Sequence, residues 1–330
     1  MKVSVIIPTR NRADLLEVTL QSLVEQTMPI KDFEVIVVDN GSTDNTPEIA
    51  SRFKSLLQVI YVYEKQPGLH RGRHAGWQNA RSNYLVFADD DIRAFPSWLE
   101  SIYSVFEKHP KAALVGGKNL PEFLGPVPFF IQMLWNKVST LGRSIPDLSI
   151  LDFGDHEKII PAFHVYGCNF SIRKNILEQT GGFHPDGMPF EKIEYRGDGE
   201  SYVSEWVEKN GYHAYYHPGA SVYHAVTKDR LSEEYFIKRK YNQGISDAYS
   251  DLRAGITRKS VKSLGLKYYL RVLLGLEQIS LLHQLRADLA KTDFEKKCDS
   301  SYKNGYAFLV AQYKSRPEIK EWIHKENYLT

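Results

Sequence analysis

The chain has 330 residues, of which 42% are hydrophobic and 25% charged; this is a globular composition and excludes a disordered, collagen-like or coiled-coil chain. Its 42 Lys and Arg against 40 Asp and Glu leave a net charge of +2, without the basic excess of a general nucleic-acid binder, so no nucleic-acid partner is expected. Two cysteines, Cys168 and Cys298, are too few for a disulfide scaffold or a structural zinc site and read as reduced thiols.

The apolar run Val3–Ile7 stops at Pro8, too short for the core of a secretory signal. No uncharged apolar stretch of membrane-spanning length follows, and a cytoplasmic location is expected. Val3–Ile7 reads as a short buried strand, and Leu15, Leu16, Thr19, Leu20 and Leu23 then recur at helical spacing. Glu34–Val38 is a second strand, closed by the turn Asp39-Asn40-Gly41-Ser42. Thr46-Pro47-Glu48 reads as a helix start with Thr46 as N-cap. Further strands are expected at Val59–Tyr63, Tyr84–Ala88 and Ala113–Gly116. Short apolar strands separated by amphipathic helices predict a parallel sheet covered on both faces. In such sheets ligands bind at the carboxyl ends of the strands.

Residues 118–165 read as irregular, with Pro121, Pro126, Pro128 and Pro146 around the apolar run Phe129–Trp135. That run is expected to be a buried helix; its other reading is a surface that meets an acceptor or a lipid. Strands follow at Ala214–His217 and Ser221–His224. Beyond 228 the pattern is helical. Residues 228–275 hold eleven Lys or Arg against five Asp or Glu, and Leu264, Tyr268, Val272, Leu276, Ile279 and Leu282 share one face. Such a segment either packs on the core with a solvated basic face, the commoner case, or lies on an anionic membrane, which makes 228–290 a candidate for peripheral contact at the inner membrane face.

The most informative feature is Asp89-Asp90-Asp91 directly after the strand Tyr84–Ala88. Three adjacent carboxylates raise one another's pKa unless something compensates them. An acidic loop in water is the bland reading. A strand's carboxyl end favours instead a hard divalent cation, Mn²⁺ or Mg²⁺, shared between carboxylates and a substrate diphosphate. Two more polar segments end strands on the same edge: Pro8-Thr9-Arg10-Asn11-Arg12 and Asp39-Asn40-Gly41-Ser42-Thr43-Asp44. Taken singly, these are a helix N-terminus with solvated arginines and an Asx turn.

The ordered series IIPTRNR, VIVVDNGSTDNT, GLHRGRHAG and LVFADDD resembles the nucleotide-binding half of family-2 glycosyltransferases. The resemblance continues through Gly167–Arg173, Gly181-Gly182-Phe183, Gly197-Asp198-Gly199-Glu200 and Val222-Tyr223-His224. It implies a GT-A fold: α/β and Rossmann-like, with a mostly parallel central sheet flanked by helices and a mainly helical C-terminal extension. The implied division is 1–225 for the transferase domain (1–120 binding the nucleotide sugar, 121–225 the acceptor and catalytic half) and 226–330 for the extension. The extension would include a lid around Lys228 and Arg230 and a membrane- or partner-facing surface. Arg230-Leu-Ser and Tyr241-Asn-Gln-Gly244 are similar to polysaccharide-assembly members.

The resemblance also implies roles. Thr9, Asp39 and Arg73 would line the nucleotide pocket, with Arg10, Arg12 and Asp90 as supporting donor contacts. Asp89 and Asp91 match the family's DxD pair, Asp91 as the main metal ligand and Asp89 toward ribose or metal. His224 would complete the metal shell or hold the diphosphate. His74 stands where the family usually has Asn. Counting back from Gly211-Tyr212 places Glu200 at the catalytic-base position, with Asp198 in reserve; the bland reading is that Asp198 or Ser201 caps a helix over 202–210. The implied reaction is an inverting transfer from a nucleoside-diphosphate sugar, a UDP-sugar first, to a saccharide or lipid-linked acceptor in glycan synthesis. A sugar nucleotidyltransferase and a non-catalytic nucleotide-sugar-binding scaffold are the competing classes.

Overall fold

The structure is a computed structural model and describes residues 1–256 and 292–329. Thirteen strands occur among the described residues: β1 (Val3–Thr9), β2 (Phe33–Asp39), β3 (Val59–Tyr63), β4 (Tyr84–Ala88), β5 (Ile92–Ala94), β6 (Ala112–Gly116), β7 (Asn119–Phe123), β8 (Arg143–Ile145), β9 (Ile150–Asp152), β10 (Lys158–Ile160), β11 (Asn169–Arg173), β12 (His213–Tyr216) and β13 (Val222–Val226). Eight form one sheet in the order β10-β12-β6-β11-β4-β1-β2-β3, and five form a smaller sheet in the order β5-β13-β7-β9-β8. In the large sheet β3, β2, β1 and β4 run parallel, while β11 is antiparallel to both its neighbours.

The expected parallel strands are therefore present. Every residue of β1 and β2 is buried, as strands covered on both faces demand. Glu34 in β2 is tolerated there because Ser4 Oγ donates to it at 2.6 Å and the Arg81 backbone N–H at 2.7 Å, so the buried charge is fully partnered.

The helices in chain order are α1 (Ala13–Val24), α2 (Thr46–Arg52), α3 (Leu69–Gln78), α4 (Trp98–Lys108), α5 (Phe129–Asn136), α6 (Lys174–Thr180), α7 (Glu200–Lys209), α8 (Glu233–Arg253), α9 (Asp293–Ser315) and α10 (Pro317–Ile323). Two glycines bring α3 onto the sheet. A Cβ at Gly76 would lie 2.3 Å from Ile6 Cγ2, and one at Gly72 would lie 2.9 Å from Pro8 Cβ. Only a bare backbone fits this close, and the contact sets Arg73 beside the strand ends.

Several local expectations change. Thr46 is the first helical residue rather than the N-cap, which is Asn45; its hydroxyl donates instead to Asp44 Oδ1 at 2.6 Å. Helix α7 begins at Glu200, two residues earlier than expected, after Gly199 at φ +58°. His224 lies inside β13 rather than at its end. Residues 118–165 are not irregular: four short strands, β7 to β10, come from this segment. The helix over Phe129–Trp135 forms, but only Ile131 is buried; α5 is an exposed helix.

The chain divides into two compact units, Met1–Ser232 with Lys325–Thr330, and Glu233–His324. In the second, α8 and α9 approach closely: a Cβ on Gly244 would meet the Tyr302 carbonyl and one on Gly305 the Tyr241 carbonyl, each at 2.0 Å. Gly244 of the Tyr241–Gly244 motif is thus a helix-contact residue. The face formed by Leu264, Tyr268, Val272, Leu276, Ile279 and Leu282 lies outside the described residues, as do residues 257–275 of the basic segment. Among the described residues, no helix is long and apolar enough to cross a membrane.

Candidate active site

The carboxyl ends of β1, β2 and β4 place Thr9, Asp39 and the Asp89–Asp91 triplet on one edge of the large sheet. The loops after β1 and β2 are stitched together. Asn11, at φ +54°, accepts from the Thr43 N–H at 2.7 Å, and its own N–H donates to Ser42 Oγ at 3.0 Å. Asp39 forms the Asx turn anticipated for it, accepting from the Ser42 N–H at 2.6 Å, and its other oxygen accepts from the Tyr61 hydroxyl at 2.6 Å. Burial, then Asp39, pushes the Tyr61 phenol up. Tyr61 was not legible as a site neighbour; its only signal is its place on β3, two residues before the one that pairs with Asp39.

Asp89, Asp91 and His224 each bring a ligand atom to within 4.8 Å of the others. His224 Nε2 is 3.3 Å from Asp91 Oδ1. Buried Asp91 Oδ1 and His224 Nδ1 nonetheless lack a hydrogen bond of good geometry. Two carboxylates and an imidazole with unsatisfied buried donor atoms suit a divalent cation, so these residues fit a metal. Burial opposes ionisation of Asp91, but His224 and Arg12 outweigh it and hold the carboxyl below its usual range. Burial and the neighbouring Asp91 push Asp89 up.

Arg12 does not point away toward solvent. Its guanidinium lies 2.7 Å from Asp90 Oδ1 and 2.6 Å from Asp91 Oδ2. The Thr9 hydroxyl donates to the other Asp90 oxygen at 2.6 Å. Thr9 and Arg12, both expected as donor contacts, brace the acidic loop. One guanidinium cannot offset two buried carboxylates, and burial drives Asp90 up to about 7. Arg230 Nη1 lies 3.8 Å from Asp91 Oδ2. Arg10 is exposed at the end of β1.

Glu200 Oε2 accepts from Arg73 Nη1 at 3.0 Å. Gly167 lies against this pair: a Cβ there would come within 2.3 Å of Arg73 Nη2 and 2.9 Å of Glu200 Oε1. Arg73 and Glu200 both act electrostatically on Asp89, so the pair neighbours the metal-type cluster. Asp198 goes elsewhere. The N-cap of α7 is Gly199, and the Asp198 carbonyl accepts from the Ser201 N–H at 3.0 Å; His184 Nδ1 lies 2.7 Å from Asp198 Oδ1, and the His184 ring stacks on Tyr202 with centroids 3.7 Å apart. His184 gave no sequence signal.

His74 has a purely internal role. Its Nε2 accepts from the Phe183 N–H at 2.9 Å, so Nδ1 carries the proton and donates to the Tyr328 carbonyl at 3.0 Å. Gly182, at φ +91°, makes room, since a Cβ there would lie 2.6 Å from Nε2. Burial holds His74 neutral, with its pKa lowered to about 3. Cys168 is buried and free, and burial pushes its thiol well up, so it is structural.

Residues 4–181 match the family described as Glycosyl transferase family 2. The chain is similar to a validoxylamine A glucosyltransferase of Streptomyces hygroscopicus subsp. jinggangensis, 28% identical over 208 residues, covering 56% of this chain and 47% of that protein. It is 24% identical over 257 residues to a glucosyl-dolichyl phosphate glucuronosyltransferase of Haloferax volcanii, covering 76% and 78%. An Escherichia coli chondroitin synthase is 40% identical over 115 residues, which cover 34% of this chain and 17% of the synthase. The match therefore spans about half or less of the first and last of these relatives. Among solved structures, a mannosyltransferase from Pyrobaculum calidifontis, in complex with GDP-Man and Mn²⁺, superposes with a TM-score of 0.54 at 18% identity, covering 96% of this chain and 88% of that one. That likeness bears on the fold alone.

Proposed function

The chain belongs to glycosyl transferase family 2 and has its GT-A fold, and from that premise we propose a metal-dependent, inverting transfer from a nucleoside-diphosphate sugar to an acceptor hydroxyl. The observation that carries this reading is the cluster of Asp89, Asp91 and His224, with unsatisfied buried donor atoms beside the Arg73–Glu200 pair. Asp91, Asp89 and His224 are the residues that would hold a Mn²⁺ or Mg²⁺ ion. When bound, the cation stabilises the negative charge of the departing diphosphate.

The protein's own groups supply the rest. Glu200 takes the proton of the incoming hydroxyl as it attacks the anomeric carbon. Arg73 holds Oε2 of Glu200 in place, and Gly167, which carries no Cβ, lets both side chains pack against its backbone. Asp39, fixed by Tyr61 and the Ser42 turn, is oriented to accept hydrogen bonds from a base or ribose. Arg10 is available to the donor's phosphates. Asp198, engaged by His184, is assigned a positioning role over the start of α7. The acceptor proposed is a saccharide or a lipid-linked glycan; the Haloferax relative, a glucosyl-dolichyl phosphate glucuronosyltransferase, supports the lipid-linked form.

The test is release of UDP or GDP from a panel of nucleotide sugars with saccharide and polyprenyl-phosphate acceptors, with Mn²⁺ and with a chelator. Metal-dependent diphosphate release supports the proposal. Pyrophosphate as the product would make the protein a nucleotidyltransferase, and no turnover of any donor would leave a binding scaffold.

A further inference from the structure

Helix α5 has no charged residue, and none occurs from Phe123 to Asn136. A run this apolar is normally buried, yet here it stands in water: Phe129 is 74% exposed, Met133 58% and Val138, just beyond the helix, 63%. Leu124 and Leu134 add to the same exposed set. Ile131 is the one fully buried residue of the helix, with Phe130 and Trp135 half-buried beside it. Contiguous exposed apolar surface on a folded protein marks an interaction site.

Its charge setting favours one occupant. Lys137 and Arg143 follow the apolar run and are exposed. Exposed Lys228 packs its stem on Gly125 at the other end of the run. Trp135, partly exposed, sits in the last turn. Glu122, which precedes the run, is paired with Arg93 at 2.9 Å; an uncharged helix bearing Phe, Met, Leu and Trp, with Lys137, Arg143 and Lys228 around it, is built to lie in the headgroup region of an anionic bilayer. The position also serves the site. Strand β7 leads into α5 and pairs with β13, which carries His224; Lys228 is two residues from Arg230, beside Asp91.

We infer that α5 is an interfacial anchor that docks the protein on an anionic lipid surface, with Phe129 and Met133 inserted among the acyl chains and Lys137, Arg143 and Lys228 on the headgroup phosphates. This docking is separate from the reaction proposed above and stands or falls without it.

The experiment uses the full chain and vesicles of phosphatidylcholine, with or without phosphatidylglycerol. Both native thiols are buried, so Met133→Cys gives a single site for an environment-sensitive fluorophore. Anionic vesicles should float the protein and shift the label's emission to the blue, and salt should weaken both effects. Phe129→Ser with Met133→Ser should lower vesicle partition at least about tenfold, without changing thermal stability, since both side chains are exposed. Lys137→Glu with Arg143→Glu should abolish the preference for anionic lipid. Flotation without a change in the label would place membrane contact elsewhere in the chain and overturn the inference. So would a concentration-dependent dimer that Phe129→Ser dissolves while vesicles bind nothing.

Discussion

Arg12 grips Asp91 by Oδ2 at 2.6 Å and leaves Oδ1 facing His224 at 3.3 Å. The same guanidinium holds Asp90, so one side chain from the end of β1 organises the acidic loop after β4. Removing it with Arg12→Met leaves buried Asp90 without its cation and Asp91 with only the more distant Arg230. Breaking a buried pair costs about 3–5 kcal/mol, and the partial exposure of Arg12 reduces this to about 1–3 kcal/mol. The sign with pH follows from Asp90. Its folded pKa, about 7, lies above the ordinary 3.8, so the folded state binds the extra proton, and stability gained from it grows as pH falls through that window. Urea unfolding at pH 7 and pH 5 should therefore show a smaller deficit for the variant at pH 5. An equal deficit at both pH values would mean that Arg12 does not serve these carboxylates.

Metal binding is expected to need Asp91 and His224 directly. Calorimetric titration of Mn²⁺ into Asp91→Asn or His224→Ala should show affinity weakened by more than about 100-fold, since changes outside the ligand shell alone cost 10–100-fold. Asp198→Asn serves as control and should bind Mn²⁺ like the parent. Similar loss in all three variants would point to a general disturbance of the fold.

His74 predicts an acid-sensitive fold. Its folded pKa of about 3 lies below the ordinary 6.5, so the unfolded chain binds the extra proton. Its contribution is whole above pH 6.5 and is lost as pH falls from there toward 3, at about 1.4 kcal/mol per pH unit. Between pH 7 and pH 5 the parent should lose on the order of 2 kcal/mol through this group. His74→Asn removes the titrating ring, and its unfolding free energy should fall less over the same interval. Parallel curves for the two proteins would remove His74 as the cause.

Gly167→Ala probes the Arg73–Glu200 pair without touching either residue. The added Cβ meets Arg73 Nη2 and Glu200 Oε1 well inside van der Waals contact. The turnover number should drop by about 10²-fold, as a misplacement of about 1 Å does, while Mn²⁺ affinity stays at the parent value. Unchanged turnover would show that the pair tolerates displacement.

Much of this site is legible in the chain because β1, β2 and β4 are apolar runs that end abruptly in polar residues. That pattern alone places Thr9, Asp39 and Asp89–Asp91 on one edge. Contacts between distant segments are not legible. Nothing local links Arg12 to Asp90 and Asp91, or Asp198 to His184, and His74 meets a carbonyl 254 positions away. The three-residue strands β8, β9 and β10 are too short to show an alternation. Helix α5 misleads for a different reason: apolar composition reports what a helix prefers to touch, and burial inside the same chain is only one way to meet that preference.

The division of labour between Asp91 and Glu200 is tested most directly by measuring donor binding and transfer together in Glu200→Gln. Calorimetry with Mn²⁺ and the donor should give an affinity within about twofold of the parent, while the single-turnover rate falls by about 10²–10⁴-fold, the contribution of a lost general base. Transfer at the parental rate, or its collapse in Asp198→Asn instead, would contradict the assignment of Glu200 as the base.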